Sequence, residues 1–295
     1  MKNWILAIRP KTLFASVAPV ILGLTAAWYT TGKETNWLIA CLTILCAICL
    51  QIASNLANDY LDALKGVDTK ERLGPVRVTS AGLIPHSQMR FALILTLLLC
   101  LILGSYLMLQ GGIVIVIMGL LSLYFAYGYT GGPFPLSYNG LGEFAAFFFF
   151  GLVAVNGTYY LQAHELKGSI VLLSMGPGFI SACILAINNL RDLNSDTNTN
   201  KKTIAVRFGE KFQRSFCLIL ILLSMLTCLY FSYIIQSKWP LFTLLLPLFF
   251  HRIWLMIFYD PISTELNKAL QFTAIYNLLY CLSLSVSLYL AKTII

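Results

Sequence analysis

Charge is what this sequence has least of. Only 11% of its 295 residues are Asp, Glu, Lys or Arg, and 58% are hydrophobic. A soluble domain carries about 25% charged residues, so that class is excluded. Polar stretches of any length are also lacking. A separate soluble domain needs about 50 residues or more, and no segment between the apolar runs reaches that. The expectation is therefore one membrane domain over residues 1–295.

Paired cysteine chemistry is missing too. The eight cysteines all lie inside apolar runs, and Cys46 and Cys49, the lone C-x-x-C, sit mid-run with no second pair and no histidines beside them. Redox or zinc chemistry needs an accessible thiolate, so these residues read as small apolar side chains. Nor is there a cleavable leader to set aside. Arg9 and Lys11 precede an apolar run from Leu13 to Tyr29, but more membrane follows it, and it reads as the first span.

What is there is a series of apolar runs, at 13–30, 37–56, 90–109, 112–129, 141–161, 169–188, 216–235, 239–258 and 271–290. Each is long enough to cross about 30 Å of hydrocarbon as a helix. Lipid offers no partner to an open backbone, so helices are required. The predicted fold is an all-α membrane protein with nine transmembrane helices around a central cavity.

The basic excess, a formal net charge of +8, lies in the connections. Such an excess orients a membrane protein and attracts anionic ligands, so no nucleic acid partner is inferred. With the N-terminus placed in the cytoplasm, fifteen Lys and Arg residues fall on that side and four on the other, with Arg252 inside a span. Two long connections, 57–89 and 189–215, also lie on the cytoplasmic side. Long connections in a compact protein tend to carry function, and the acids concentrate there.

The first holds Asn58-Asp59-Tyr60-Leu61-Asp62 and then Asp68. Asn58 and Asp62 are four apart and share a helix face, with Asp59 close to it. The second is Arg191-Asp192-Leu193-Asn194-Ser195-Asp196, again with two acids four apart and with Asn188 and Asn189 upstream. Oxygen ligands clustered at helix ends suit a hard cation such as Mg²⁺. Lys70, Arg72, Arg77, Lys202 and Arg207 stand beside the acids. Carboxylates alone repel a diphosphate, whereas bridging Mg²⁺ binds both, and the basic side chains hold the remaining phosphate charge. Acids near a membrane core mark function by default. The chemistry implied is departure of diphosphate from an allylic carbon. A transporter is the rival class, but transporters place their ligands near the midplane, and these acids sit at span ends.

These residues resemble the UbiA-type superfamily of intramembrane aromatic prenyltransferases, which has nine helices and two aspartate-rich motifs at the ends of the second and sixth. Asn58-x-x-x-Asp62 matches the start of the first motif and Asp192-x-x-x-Asp196 the second. The chain departs from the general pattern twice. The next acidic position of the first motif is Gly66, with the acid displaced to Asp68. After Tyr124, where many members carry a cationic pair four residues on, this chain has Gly128 and Tyr129.

Both departures resemble the branch that acts on 1,4-dihydroxy-2-naphthoate. So do Gly74-Pro75-x-Arg77-Val78-Thr79, the run from Tyr129 to Leu136, Asn188-Asn189-Leu190-Arg191-Asp192, and the run from Lys202 to Gly209. The resemblance implies transfer of a polyprenyl group from its diphosphate to dihydroxynaphthoate in menaquinone synthesis, with loss of CO₂ and diphosphate, in a bacterial inner membrane.

The expected metal ligands are Asn58, Asp59, Asp62, Asp68, Asp192 and Asp196, all but Asp59 also catalytic. The expected substrate contacts are Lys70, Arg72, Arg77, Asn188, Arg191, Lys202 and Arg207, with Tyr60 and Tyr124 as aromatic faces for a cation. Tyr127 and Phe147 are further aromatic candidates. The acceptor carboxylate is left to Arg9, Lys11 or Arg77. His251 and Arg252 either line the cavity or, for Arg252, snorkel to the surface. Gly131-Gly132-Pro133-Phe134-Pro135 reads as a rigid connector, and the resemblance implies that Asn139 and Glu143 beyond it face the site. An acceptor such as 4-hydroxybenzoate is the nearest alternative. The sequence assigns no oligomeric state.

Overall fold

The computed structural model describes residues 2–67, 72–199 and 201–293. Every regular element in them is helical, as a lipid-facing backbone requires. A short α1 (Lys2–Ile8) leads into α2 (Pro10–Thr31), α3 (Trp37–Lys65) and α4 (His86–Gly128). Then come α5 (Gly142–Ala163), α6 (Gly168–Arg191), the single turn α7 (Leu193–Thr197) and α8 (Ile204–Ile234). A bent pair follows, α9 (Trp239–Phe249) and α10 (His251–Tyr259), and α11 (Leu266–Thr293) closes the chain. Among the described residues, seven helices are long and apolar enough to cross a membrane, eight if the bent pair is one span.

Local sequence sets the helix ends. Pro10 opens α2, where its missing N–H is not needed. Gly32 ends it in the left-handed conformation, its N–H donating to the Trp28 carbonyl at 3.0 Å. The Asn36 side chain caps α3 by accepting from the Ile39 N–H at 3.2 Å. Gly66, with φ 64°, stops α3 one residue after Lys65. The helix thus runs nine residues past the expected end of span two, and Asn58 to Asp62 lie inside its last turns. Helix α6 likewise continues to Arg191.

Helix α4 is 43 residues long, which straight would measure about 64 Å, twice the hydrocarbon thickness. It breaks at Gly112 (φ 59°, ψ −154°). The Met108 side chain lies 2.5 Å from where a Cβ on Gly119 would stand, so the two halves fold back on one another. The expected runs 90–109 and 112–129 meet at this break. The expected run 239–258 is bent by 51° between α9 and α10. Arg214, on α8, holds the end of α10 by donating to the carbonyls of Ile257 and of Asp260, the latter at 2.6 Å.

The main core joins α2, α5, α6, α8, α10 and α11, with Tyr159, Leu190, Tyr276 and Tyr280 buried in it. A second cluster joins α1, α3, the start of α4 and the turn at Val78 and Ile84. Large apolar side chains cover much of the outside, among them Phe91, Leu109 and Phe249, as a lipid-facing surface allows. All eight cysteines are free thiols.

Helices α5 and α6 meet backbone to backbone. A Cβ on Gly151 would lie 2.6 Å from the Gly178 Cα and 2.7 Å from the Ser174 carbonyl oxygen. Small residues at such crossings let membrane helices approach. Gly151→Ala is therefore expected to destabilise the fold by about 1–3 kcal/mol, read as a lower thermal midpoint in detergent. Gly168→Ala, where a Cβ meets nothing within 4 Å, serves as the control and should leave the midpoint unchanged.

Candidate active site

The two acidic segments belong to different helices, and a lysine joins them. Lys201 Nζ, beyond α7, lies 3.4 Å from Asp62 Oδ2 on α3. Arg77 reaches the same oxygen at 3.5 Å. The other oxygen, Oδ1, accepts a hydrogen bond from the Tyr138 hydroxyl at 3.0 Å. Asp62 is 1% exposed, and a carboxylate so buried needs this company.

Arg191 organises the second segment. Its Nε donates to Asp192 Oδ1 at 2.8 Å and its NH2 to Oδ2 at 2.6 Å. The same guanidinium donates to Asn188 Oδ1 and, from α6 to α11, to Asn267 Oδ1, each at 2.8 Å. Asn267 in turn donates to the Leu73 carbonyl at 2.9 Å. Arg72, beside it, stands 3.7 Å from Asp192 Oδ2. The connection after α3 is thereby tied to the end of α6, and both acidic segments share one end of the bundle.

Asp196 is buried with them. Burial pushes its carboxyl up from 3.8 to about 7; the charges of Asp192 and Asp62 act the same way, and Lys201 and Arg72 oppose them. Its surroundings therefore contain both other aspartates. Tyr129 lies among the same groups. Burial, with the charges of Glu143, Asp62 and Asp196, raises its phenol well above the ordinary value. Below it, Glu143 Oε1 accepts from Asn189 at 2.9 Å and from Gln213 at 3.1 Å, linking α5, α6 and α8.

Several expected site residues have other partners. Asp59 accepts the backbone N–H groups of Thr79 at 2.9 Å and Val78 at 3.2 Å, so its carboxylate fixes the turn that carries Arg77. Asn58 Oδ1 accepts from the Thr130 hydroxyl. Arg207 donates to the carbonyls of Lys202 at 3.0 Å and Asn139 at 2.9 Å, and the Lys202 N–H donates to the Tyr138 carbonyl at 3.0 Å. The connector after α4 is thus a clasp over both acidic segments. Gly140 sits under Arg207 with φ 72°, where a Cβ would come within 2.9 Å of the Lys202 carbonyl.

Tyr60 packs edge-on to His86 at 6.3 Å. Tyr124 is 58% exposed and contacts Phe125 edge-on at 5.0 Å. Among candidates for the acceptor carboxylate, Arg9 lies 4.0 Å from Asp59 and Lys11 donates to Gln271 at 2.7 Å. The expected Asp68 and Lys70 lie outside the described residues.

The sequence alone gives no role to Tyr138, Lys65, Thr130, Lys201 or Asn267. Lys65 had a usable signal, three residues after Asp62. Tyr138 follows a Pro-rich connector and reads as part of it. Asn267 has no sequence signal, because it lies 76 positions from Arg191 and only folding brings the two together.

Among the described residues, no group of three Asp, Glu, His or Cys side chains converges tightly enough to hold a metal unaided. The chemistry of the donor set nevertheless fits Mg²⁺. The side-chain oxygens of Asn58, Asp62, Asp192 and Asp196 are hard donors of the kind that ion takes.

An acid with a raised pKa in the fold stabilises it at low pH, and loses that contribution as pH rises from its unfolded to its folded value. In chelator-treated protein, the stability of Asp196→Asn relative to wild type should therefore rise between about pH 4 and pH 7 and level off above. Thermal melts across that range check this; a difference independent of pH would contradict it.

Residues 16–279 match the UbiA prenyltransferase family. The chain is 35% identical to a 1,4-dihydroxy-2-naphthoate octaprenyltransferase of Haemophilus influenzae over 98% of this chain and 96% of that one. It is 36% identical to the Escherichia coli protein of the same name over 96% and 95%. Its fold matches that of a UbiA homolog from Archaeoglobus fulgidus, solved with DMAPP and Mg²⁺, with a TM-score of 0.64 at 14% identity over 97% and 99% of the two chains. The joined acidic segments and these likenesses agree, and the chain belongs to the UbiA prenyltransferase family.

Proposed function

We propose that this enzyme transfers a polyprenyl group from its diphosphate to 1,4-dihydroxy-2-naphthoate, releasing diphosphate and CO₂, in menaquinone biosynthesis. The contact between Lys201 and Asp62 carries the reading, because it brings both acidic segments and their cations to one place. The near full-length likeness to two bacterial octaprenyltransferases of dihydroxynaphthoate supports the acceptor.

Asp62, Asp192 and Asp196 would hold Mg²⁺, with Asn58 Oδ1 and Asp68 as further oxygen donors. When bound, Mg²⁺ supplies charge neutralisation and Lewis acidity at the diphosphate oxygens. Arg72, Arg77 and Lys201 stabilise the leaving diphosphate from fixed positions, so little reorganisation accompanies bond breaking. Loss of diphosphate leaves an allylic cation on the prenyl chain. The apolar bundle keeps water from it, and the electron-rich ring attacks instead. The new carbon–carbon bond forms as the carboxyl group leaves as CO₂.

The whole chain acts as one transmembrane domain. Nine crossings are favoured because α4 doubles back at Gly112 and the bent pair α9–α10 has the length of one span. The excess of basic residues at the site end favours a cytoplasmic N-terminus and active site, in the inner membrane of a bacterium.

Asp62→Asn and Asp192→Asn keep the shape of each side chain and remove its charge. Each is expected to lower Mg²⁺-dependent prenylation of dihydroxynaphthoate by at least about a hundredfold in isolated membranes. Wild-type rates in either variant would refute the scheme. Supplying 4-hydroxybenzoate with the same labelled donor tests the acceptor, and only dihydroxynaphthoate should be labelled.

A further inference from the structure

Tyr138 touches Asp62 and, at the same time, a lysine that follows each acidic segment. Its hydroxyl donates to Asp62 Oδ1 at 3.0 Å. Lys65 Nζ, from the last residue of α3, lies 3.9 Å from the centre of its ring. Lys201 Nζ lies 5.1 Å from the same centre and 3.4 Å from Asp62 Oδ2. Both ammonium groups are within the range at which an aromatic face attracts a cation. Two like charges are thus gathered around one ring beside one carboxylate.

The position of the ring is itself determined. Tyr138 follows Pro135, and its carbonyl accepts the Lys202 N–H at 3.0 Å. Arg207 closes the next residue down by binding the Asn139 carbonyl at 2.9 Å. Lys65 is fixed from its other side by donating to the Thr130 carbonyl at 2.7 Å. A phenol on Oδ1 sets the plane of the Asp62 carboxylate and directs its charge toward the Oδ2 side. A shared ring sets where the two ammonium groups stand relative to that oxygen. An anion with two charged phosphoryl ends, bound through a divalent cation, needs both conditions at once.

We propose that Tyr138 is the positioning residue of this site: its hydroxyl orients Asp62 for the metal, and its ring holds Lys65 and Lys201 for the diphosphate. The proposal rests on the prenyl diphosphate reading above. It splits Tyr138 into two functions that separate variants remove. Tyr138→Phe deletes the hydroxyl and keeps the ring. Tyr138→Leu deletes both. Lys65→Met deletes one ammonium and leaves Asp62 and its hydroxyl partner in place.

The probe is inorganic pyrophosphate with Mg²⁺, read as thermal protection of the purified full chain in detergent and, in parallel, as prenylation rate. Tyr138→Phe is expected to raise the half-maximal Mg²⁺ concentration on the order of tenfold, the loss of a hydrogen bond to a charged group. Its half-maximal pyrophosphate concentration at saturating Mg²⁺ should stay within about twofold of wild type. Lys65→Met should show the reverse, a shift for pyrophosphate and none for Mg²⁺, and Tyr138→Leu should show both shifts. If Tyr138→Leu does not fold, the opposed shifts of the other two variants decide the matter.

Unchanged midpoints in Tyr138→Phe overturn the proposal, even if its melting temperature without ligand falls, because the contact is then structural only. Equal shifts for both ligands in Tyr138→Phe and Lys65→Met overturn it as well. Failure of the underlying reading looks different: wild-type protein protected by Mg²⁺ and pyrophosphate would transfer no prenyl group to dihydroxynaphthoate.

Discussion

A carboxylate at the edge of a hydrocarbon slab persists only where positive charge or hydrogen-bond donors reach it. Asp62 meets that condition through Lys201, Arg77 and Tyr138, which come from three different connections. Each arrives only if its own segment is folded back over the end of α3. Compensation of one buried charge therefore gathers the site end of the molecule. Asp192 repeats the arrangement with Arg191 and Arg72. Arg191 extends it to α11 through Asn267, and Asn267 to the Leu73 carbonyl. From Arg72 to Arg77, the long connection after α3 forms one wall of the site.

This explains why some acids and cations that look alike in sequence differ in the structure. Asp59 and Asp62 are three apart and both 1% exposed. The first takes two backbone N–H groups and serves the turn at Val78 and Thr79. The second takes side-chain cations, which can exchange partners with a ligand as backbone groups cannot. Arg207 and Lys201 are likewise near neighbours. Arg207 is occupied by two carbonyls of the clasp, whereas Lys201 faces a carboxylate. A pattern of charges in sequence cannot sort these cases, because the sorting depends on which backbone groups are left over after folding.

Much of the architecture was legible because hydrophobic length is a strong signal. The runs at 37–56 and 169–188 lie within α3 and α6, and the Asn and Asp spacing announced both acidic segments. What the sequence concealed follows from the same physics. Run ends were set where polarity begins, yet α3 continues through Asn58, Asp59 and Asp62 to Lys65. Their side chains find partners inside the fold, so the helix has no reason to stop until Gly66 can turn the chain at φ 64°. The reversal in α4 was legible only as a gap of two residues between runs. It rests on Gly112 taking a conformation that other residues avoid.

The two departures from the general motif also have a structural meaning when taken together. Gly66 stands where an acid would extend the first motif, and it ends α3 so that Lys65 lies on the last turn. Gly128 and Tyr129 stand where a cationic pair would follow Tyr124. The Lys65 ammonium reaches the carbonyl of Thr130, the very next residue. Positive charge thus arrives at that corner from the end of α3 instead of from the end of α4. Lys65 supplies charge to the corner, and Gly128 leaves room beside the Tyr124 ring, which a Cβ there would approach to 3.2 Å.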